Sequence, residues 1–284
     1  MIALAWITMA LAGPGEVLDA AWETSRSDVT WRSPVVSERE AVREAMRALA
    51  AAPDPCEAVP EARRLLEPVD MVVDLLEGEP RLVVVREGRE HRGSGFFVVR
   101  CGPARPWVWQ APHAFFEAPT RIIARQLFLE SQARATLWNT VHRYRSLPGE
   151  SPAHEVHPGD VTREYGSLFQ AATIGLAAGD PSLGFVQLHG FTREALPWDA
   201  VVSFGAAESY AGDLAEALEP VLGRVAAWGR DVDVLGGTTN VQGRALSRAG
   251  RRFLHLELAS ETRRLLVEDP ARRAALAAVL EDAW

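Results

Sequence analysis

From Arg81 onward, short runs of β-branched and aromatic residues alternate with longer stretches of helical periodicity, and this alternation constrains the chain more than any other feature. Leu82 to Val85, Gly95 to Val99 and Trp107 to Trp109 are strand-like and separated by turn residues. Thr120 to about Ala135 reads as a helix carrying Ile122, Ile123, Leu127 and Phe128, and a second helix runs from near Asp160 to Gly179, where glycine suits a left-handed cap. Strands follow at Gly184 to Leu188 and Ala200 to Phe204. A helix from about Gly212 to Trp228, kinked or split at Pro220, precedes the loop Gly236 to Gly243. A strand at Phe253 to Leu258 and a helix launched by Asp269-Pro270 close the chain. Such alternation implies an α/β fold with helices on both faces of a sheet.

The segment before Arg81 is organised differently. Met1 to Ala12 is an apolar run ending in Ala10-Leu11-Ala12, which resembles a signal-peptidase site but lacks a basic start. Export to the periplasm or medium is the expectation, with a mis-assigned start or a buried N-terminal strand as alternatives. Ser37-Glu38-Arg39-Glu40 has the pattern of a capping box opening a helix to about Ala51, broken by Pro53, Pro55 and Pro60. Glu61 to Leu66 reads as a further helix, and Met71 to Leu76 is apolar and ambiguous. The chain thus divides into residues 1-13 as leader, 14-79 as a mainly helical N-terminal appendage and 80-284 as the main α/β domain.

Composition narrows the function. With 284 residues, 48% of them hydrophobic, the chain can bury a substantial core. Its net charge of -8, with every cation an arginine, argues against a general nucleic-acid binder, because neutralising phosphates takes clustered positive charge. No stretch outside the leader approaches the length needed to span a bilayer. Two cysteines, Cys56 and Cys101, are too few for a disulfide framework, and a single bridge and two buried thiols are both open.

Three segments carry potential ligands or proton carriers at strand ends: Ala-Pro-His113-Ala-Phe-Phe-Glu117, Phe-Val-Gln-Leu-His189-Gly and Leu-His-Leu-Glu257-Leu. In an open α/β sheet ligands bind beyond the carboxyl ends of the strands, where His113 and His189 sit. Together with Glu117, four residues past His113, they suit a zinc ion with one position open. Glu257 lies inside an apolar strand, where an unpaired carboxylate is expensive. Strand alternation puts Phe253, His255 and Glu257 on one face, so Glu257 either pairs with an arginine such as Arg263 or serves as a general base. Arg143 and Arg244 are candidate substrate contacts, each with a surface role as its ordinary alternative. His154 and His157 lie in a Pro/Gly-rich stretch that reads first as a solvated loop.

The order of these residues resembles the N-formylglutamate amidohydrolases, within the zinc carboxypeptidase-like group that includes poly-γ-glutamate hydrolases and aspartoacylases. The resemblance covers about Trp107 to Arg263: Pro112-His113, Trp138-Asn-Thr-Val-His-Arg143, the acidic start at Asp160, Leu188-His189-Gly190, Val201-Val-Ser-Phe-Gly205, a Gly-Gly-Thr loop and Leu256-Glu257-Leu258. It implies a phosphorylase/hydrolase-like three-layer sandwich with a mixed central sheet. It also implies zinc on His113, Glu117 and His189, Glu257 as general base, and Arg143 gripping a substrate carboxylate or polarising the scissile carbonyl. Three residues separate His113 from Glu117, where carboxypeptidases have two, and His142 stands where the family often has the Asn of an Asn-Arg pair.

The expectation is an exported zinc hydrolase cleaving an amide or peptide bond in a small-molecule or peptide substrate that carries a carboxylate, acidic or glutamate-like. A binding protein on the same scaffold with a degenerate site is the competing class. A serine hydrolase is the third. Gly93-Ser-Gly-Phe-Phe with Ala-Pro-His113 imitates a trypsin-like opening, but no Gly-Asp-Ser-Gly-like nucleophile follows and there is no Gly-x-Ser-x-Gly elbow.

Overall fold

The structure, a computed structural model, describes residues 13–25, 31–144, 157, 159–192, 196–206 and 210–283. Met1 to Ala12, the segment that reads as a leader, and His154 lie outside these residues. The helices are α1 (Pro14–Ser25), α2 (Val36–Ala51), α3 (Val59–Leu66), α4 (Pro119–Glu130), α5 (Leu168–Gly179), α6 (Gly212–Leu222), α7 (Val241–Arg248), α8 (Ser260–Glu268) and α9 (Pro270–Ala283). The strands are β1 (Met71–Leu76), β2 (Leu82–Glu87), β3 (Phe96–Arg100), β4 (Arg105–Ala111), β5 (Ala133–Trp138), β6 (Gly184–Phe191), β7 (Ala200–Ser203), β8 (Val225–Ala227) and β9 (Phe253–Ala259).

All nine strands join one mixed sheet in the order β1-β2-β3-β5-β4-β6-β9-β7-β8. Its centre, β5-β4-β6-β9, is parallel. The β1–β3 meander meets this block antiparallel on one side and β7 does so on the other. Alternation along each strand sends side chains to two cores. Val84, Trp109, Leu188 and Leu256 pack under α1, α4, α6, α8 and α9 through Leu18, Phe128, Leu218, Leu266 and Leu280. Val83, Val85, Phe97 and Leu137 pack under α2, α3, α5 and α7 through Met46, Leu66, Phe169 and Leu246. Helices therefore cover both faces, the three-layer α/β sandwich that the sequence implies. α2 crosses α5 at close range: a Cβ on Gly175 would fall 2.3 Å from the Arg43 carbonyl oxygen, so only glycine fits there.

Several boundaries differ from the sequence expectation, each for a local reason. The helix expected to reach Ala135 stops at Glu130, because Ser131 caps it and Gln132 takes a left-handed φ of 55°. The chain then reverses, and Ala133–Trp138 becomes β5, wedged between β3 and β4. The helix expected from Asp160 starts at Leu168, where Ser167 Oγ accepts the Gln170 N–H at 3.1 Å, so Asp160 stands in a turn ahead of it. Gly223, at φ 91°, ends α6 early and frees β8. Asn240 caps α7 inside what reads as a loop. α2 begins at Val36, where the Glu38 carboxylate accepts the Val35 N–H at 2.8 Å, two residues ahead of the expected box. Met71–Leu76 is the edge strand of the sheet. Cys56 and Cys101 are joined by a disulfide that ties the turn before α3 to the end of β3.

Candidate metal centre

The parallel strands deliver the site at their carboxyl ends. β4 ends at Ala111, and one turn later the Glu117 N–H donates to the His113 carbonyl at 2.9 Å. This helical turn puts residues i and i+4 on one side, which is how Glu117 reaches His113 despite the three-residue gap. β6 runs to Phe191, so His189 lies within the strand and not just beyond it. It is paired in register with Glu257 of β9, while Gln187 is paired with His255 one row below. The sheet thus sets His189 beside Glu257 by backbone geometry alone.

Three potential ligand side chains converge. His113 Nδ1 lies 2.9 Å from Glu117 Oε1 and 3.2 Å from His189 Nδ1, and His189 Nδ1 lies 3.5 Å from Glu117 Oε2. Donors about 2.0–2.1 Å from a tetrahedral zinc stand ~3.3–3.4 Å from each other, so the spacing fits. The three side chains are all buried and form one potential cation site. Their outer atoms are held by other groups. His113 Nε2 donates to Asp160 Oδ1 at 3.0 Å; Asp160 also accepts from Thr162 Oγ1 at 2.6 Å and from Arg143 Nη2 at 2.6 Å. Because the Asp160 carboxylate only accepts, His113 Nε2 carries a proton, and Nδ1 faces the centre. Glu117 Oε2 accepts the Gly190 N–H at 2.9 Å.

The electrostatics call for one positive charge at this point. Burial alone would push His113 toward neutrality, but the Glu117 and Asp160 carboxylates outweigh it and raise its pKa to about 9. Burial works against the charges on Glu117 and Asp160 too. The histidines hold Glu117 well below the usual carboxylate range, and His113, Arg143 and Thr162 do the same for Asp160. His189 is pushed down by burial and by the neighbouring His255. A proton on His113 supplies that charge, and the same three side chains are placed where a divalent cation could supply it instead.

The centre opens on a cleft of about 510 Å³, whose lining includes His189, Glu257, Arg143, Arg163 and Asp233. Glu257 is 8% exposed, and its Oε1 lies 3.1 Å from His255 Nε2. The His255 ring packs against His189 at a tilt of 36°, with centroids 4.4 Å apart. Arg143 enters from the opposite wall, its Nη1 3.2 Å from His113 Nδ1 and 3.5 Å from Glu117 Oε1. His113, Glu117, His189, Glu257 and Arg143 therefore meet in one place. Arg244 does not join them: its Nε donates to the Thr238 carbonyl at 2.9 Å and it is not part of the cleft lining. Arg263, considered as a partner for Glu257, donates at 2.6 Å to the Leu258 carbonyl. His157 is buried against Tyr144, ring centroids 5.2 Å apart, and is not a solvated loop residue. Sequence reasoning missed Asp160 and Arg163 as site residues. No local spacing marks Asp160, because it meets His113 only through the fold, across 47 residues.

No protein-family profile matches the sequence, and no curated protein does. Among solved structures, the chain is similar to a metallo-carboxypeptidase from Burkholderia cenocepacia, at 14% identity over 79% of this chain and 70% of that one, with a TM-score of 0.40. It is similar to an N-formylglutamate amidohydrolase from Ralstonia eutropha, at 15% identity over 64% of this chain and 96% of that one, TM-score 0.39. A succinylglutamate desuccinylase from Vibrio parahaemolyticus is similar at 11% identity over 75% and 78%, TM-score 0.42. Likenesses at this level carry no chemistry to this chain, whose function rests on its own side chains.

Proposed function

We propose that the protein is a zinc-dependent hydrolase that cleaves an amide or peptide bond in a substrate bearing a carboxylate, of an acidic or glutamate-like kind. The observation that carries this reading is the meeting of His113 Nδ1, His189 Nδ1 and Glu117 Oε1, with Glu257 in the same cleft. His113, Glu117 and His189 would hold the ion, which when bound polarises a carbonyl and acidifies water. Glu257 is the general base. With Oε1 engaged by His255, its other oxygen, which has no hydrogen-bond partner among the described residues, can take a proton from the attacking water and pass it to the leaving amine. Arg143, beside the ligand set, orients a carboxylate or the developing oxyanion. Arg163 is exposed in the cleft with no partner among the described residues, which supports it, over Arg244, as the anchor for the substrate carboxylate. The test is metal analysis of the purified protein together with hydrolysis of N-acyl acidic amino acids by wild type and by Glu257→Gln.

We also propose that the protein works outside the cytoplasm. The apolar run before Gly13 and the Cys56–Cys101 disulfide both support export to an oxidising compartment. N-terminal sequencing of the mature protein checks it: a start just after Ala12 is expected, and an intact Met1 in the cell's soluble cytoplasm contradicts it.

A further inference from the structure

For His189 to ligate through Nδ1, its proton must sit on Nε2. A buried network of side-chain amides determines this from three backbone anchors. The first is in α5: Thr173 Oγ1 commits its only proton to the Phe169 carbonyl at 2.9 Å, so it accepts from Gln110 Nε2 at 2.8 Å. Gln110 Oε1 is then turned to accept from Gln187 Nε2 at 2.9 Å. The second anchor is the Val161 carbonyl. It accepts from Gln242 Nε2 at 2.9 Å and so aims Gln242 Oε1 at Gln187 Nε2, 3.5 Å away. The third is the Gly243 N–H, which donates to Asn240 Oδ1 at 2.9 Å and leaves Asn240 Nδ2 to donate to Gln187 Oε1.

All three orient Gln187 in one sense, with its nitrogen toward Gln110 and Gln242 and its oxygen toward Asn240 and His189. His189 Nε2 lies 2.9 Å from that oxygen. An amide oxygen only accepts, so this nitrogen must donate. Gln110, Thr173, Gln187 and Gln242 are fully buried, which leaves no water to take the place of any of them. The sheet builds the contact: Gln110 and Gln187 are register partners on β4 and β6, and Gln187 is two residues before His189 on the same strand face.

We propose that Gln187 is a positioning residue that locks His189 in the Nε2–H tautomer and so presents Nδ1 to the metal, with the chain Phe169–Thr173–Gln110–Gln187 carrying the polarity of the α5 backbone to that ligand. This rests on His189 being a ligand, and the experiments separate the two claims. The first is nitrogen-resolved NMR of the histidines in the full-length, zinc-free protein, with the His189 signal assigned by its loss in His189→Gln. A neutral Nε2–H form is expected, and an Nδ1–H form or a mixture overturns the lock whatever the protein binds. The second is Zn²⁺ affinity by competition with a chromophoric chelator. Gln187→Glu, buried as the protonated acid with its hydroxyl donating to Gln110 Oε1 in place of the amide N–H, keeps an acceptor toward His189 and should stay within about threefold of wild type, whereas Gln187→Met, close in volume but without the acceptor, should weaken binding about ten- to hundredfold. Unchanged affinity in Gln187→Met overturns the lock. Wild type that binds no Zn²⁺ while His189 shows the Nε2–H form removes the ligand assignment, and with it the lock's purpose.

Discussion

Glu87 shows how a single buried side chain can make stability depend on pH. It ends β2 with no exposure, and its Oε1 accepts the N–H groups of Arg92 at 2.7 Å and Ser94 at 3.0 Å, while Oε2 accepts Thr140 Oγ1 at 3.2 Å. Burial raises its pKa from 4.5 to about 7, against the pull of the Ser94 and Thr140 hydrogen bonds. The folded chain therefore holds a proton that the unfolded chain releases. Its contribution to stability is fully present below about pH 4.5, is lost as the pH rises to about 7 and stays lost above it, a difference of at most about 3 kcal/mol. Glu87→Gln keeps an acceptor for both amides and removes the charge. It should leave the melting temperature unchanged near pH 4.5 and raise it at pH 8, and an equal change at both values would contradict the account. His113, His189 and Glu257 were legible because each is a polar side chain at or inside an apolar strand run, which marks it on the linear chain. Asp160, Gln110 and Gln187 were not: their roles come from contacts across elements 47 or more residues apart, which spacing does not reveal.

At the scale of elements, the strands bearing long apolar runs were readable, and the helix starts less so. β2, β6 and β9 follow their β-branched and leucine-rich sequences to within a few residues. β5 was hidden because Ala133-Arg-Ala-Thr-Leu-Trp138 follows a helix without a proline or glycine between them. The break is made by Gln132 in a left-handed conformation that costs a side-chain-bearing residue roughly 1–2 kcal/mol. Gln132→Gly relieves that cost while adding some unfolded-state freedom, so a net gain of about 0.5–1 kcal/mol is expected in urea unfolding. A loss of stability would show that the Gln132 side chain makes a contact worth more than the strain. The candidate metal centre depends on this reversal, because β5 sets β4, and with it the turn bearing His113, into the parallel block.

For the molecule as a whole, the Cys56–Cys101 disulfide closes a loop with a sequence separation of 45, linking the helical N-terminal region to the sheet. Constraint of the unfolded chain by a loop of this length corresponds to about 4 kcal/mol, and measured values usually lie at about 2–4. The paired Cys56→Ala and Cys101→Ala variant should lose stability of that order in denaturant unfolding; an unchanged midpoint would contradict it. Among the described residues no helix is long and apolar enough to cross a membrane. The three-layer architecture brings the candidate ligands His113 and Glu117, from the turn after β4, and His189 of β6 to one point, with Glu257 of β9 beside them. The most direct test of the central claim is zinc content measured alongside hydrolysis of N-acyl acidic amino acids in wild type and Glu257→Gln. The account predicts about one zinc per chain in both proteins and a loss of about 10²–10⁴-fold in turnover for the variant. A wild-type protein without metal, or a Glu257→Gln protein that hydrolyses as fast as wild type, would contradict it.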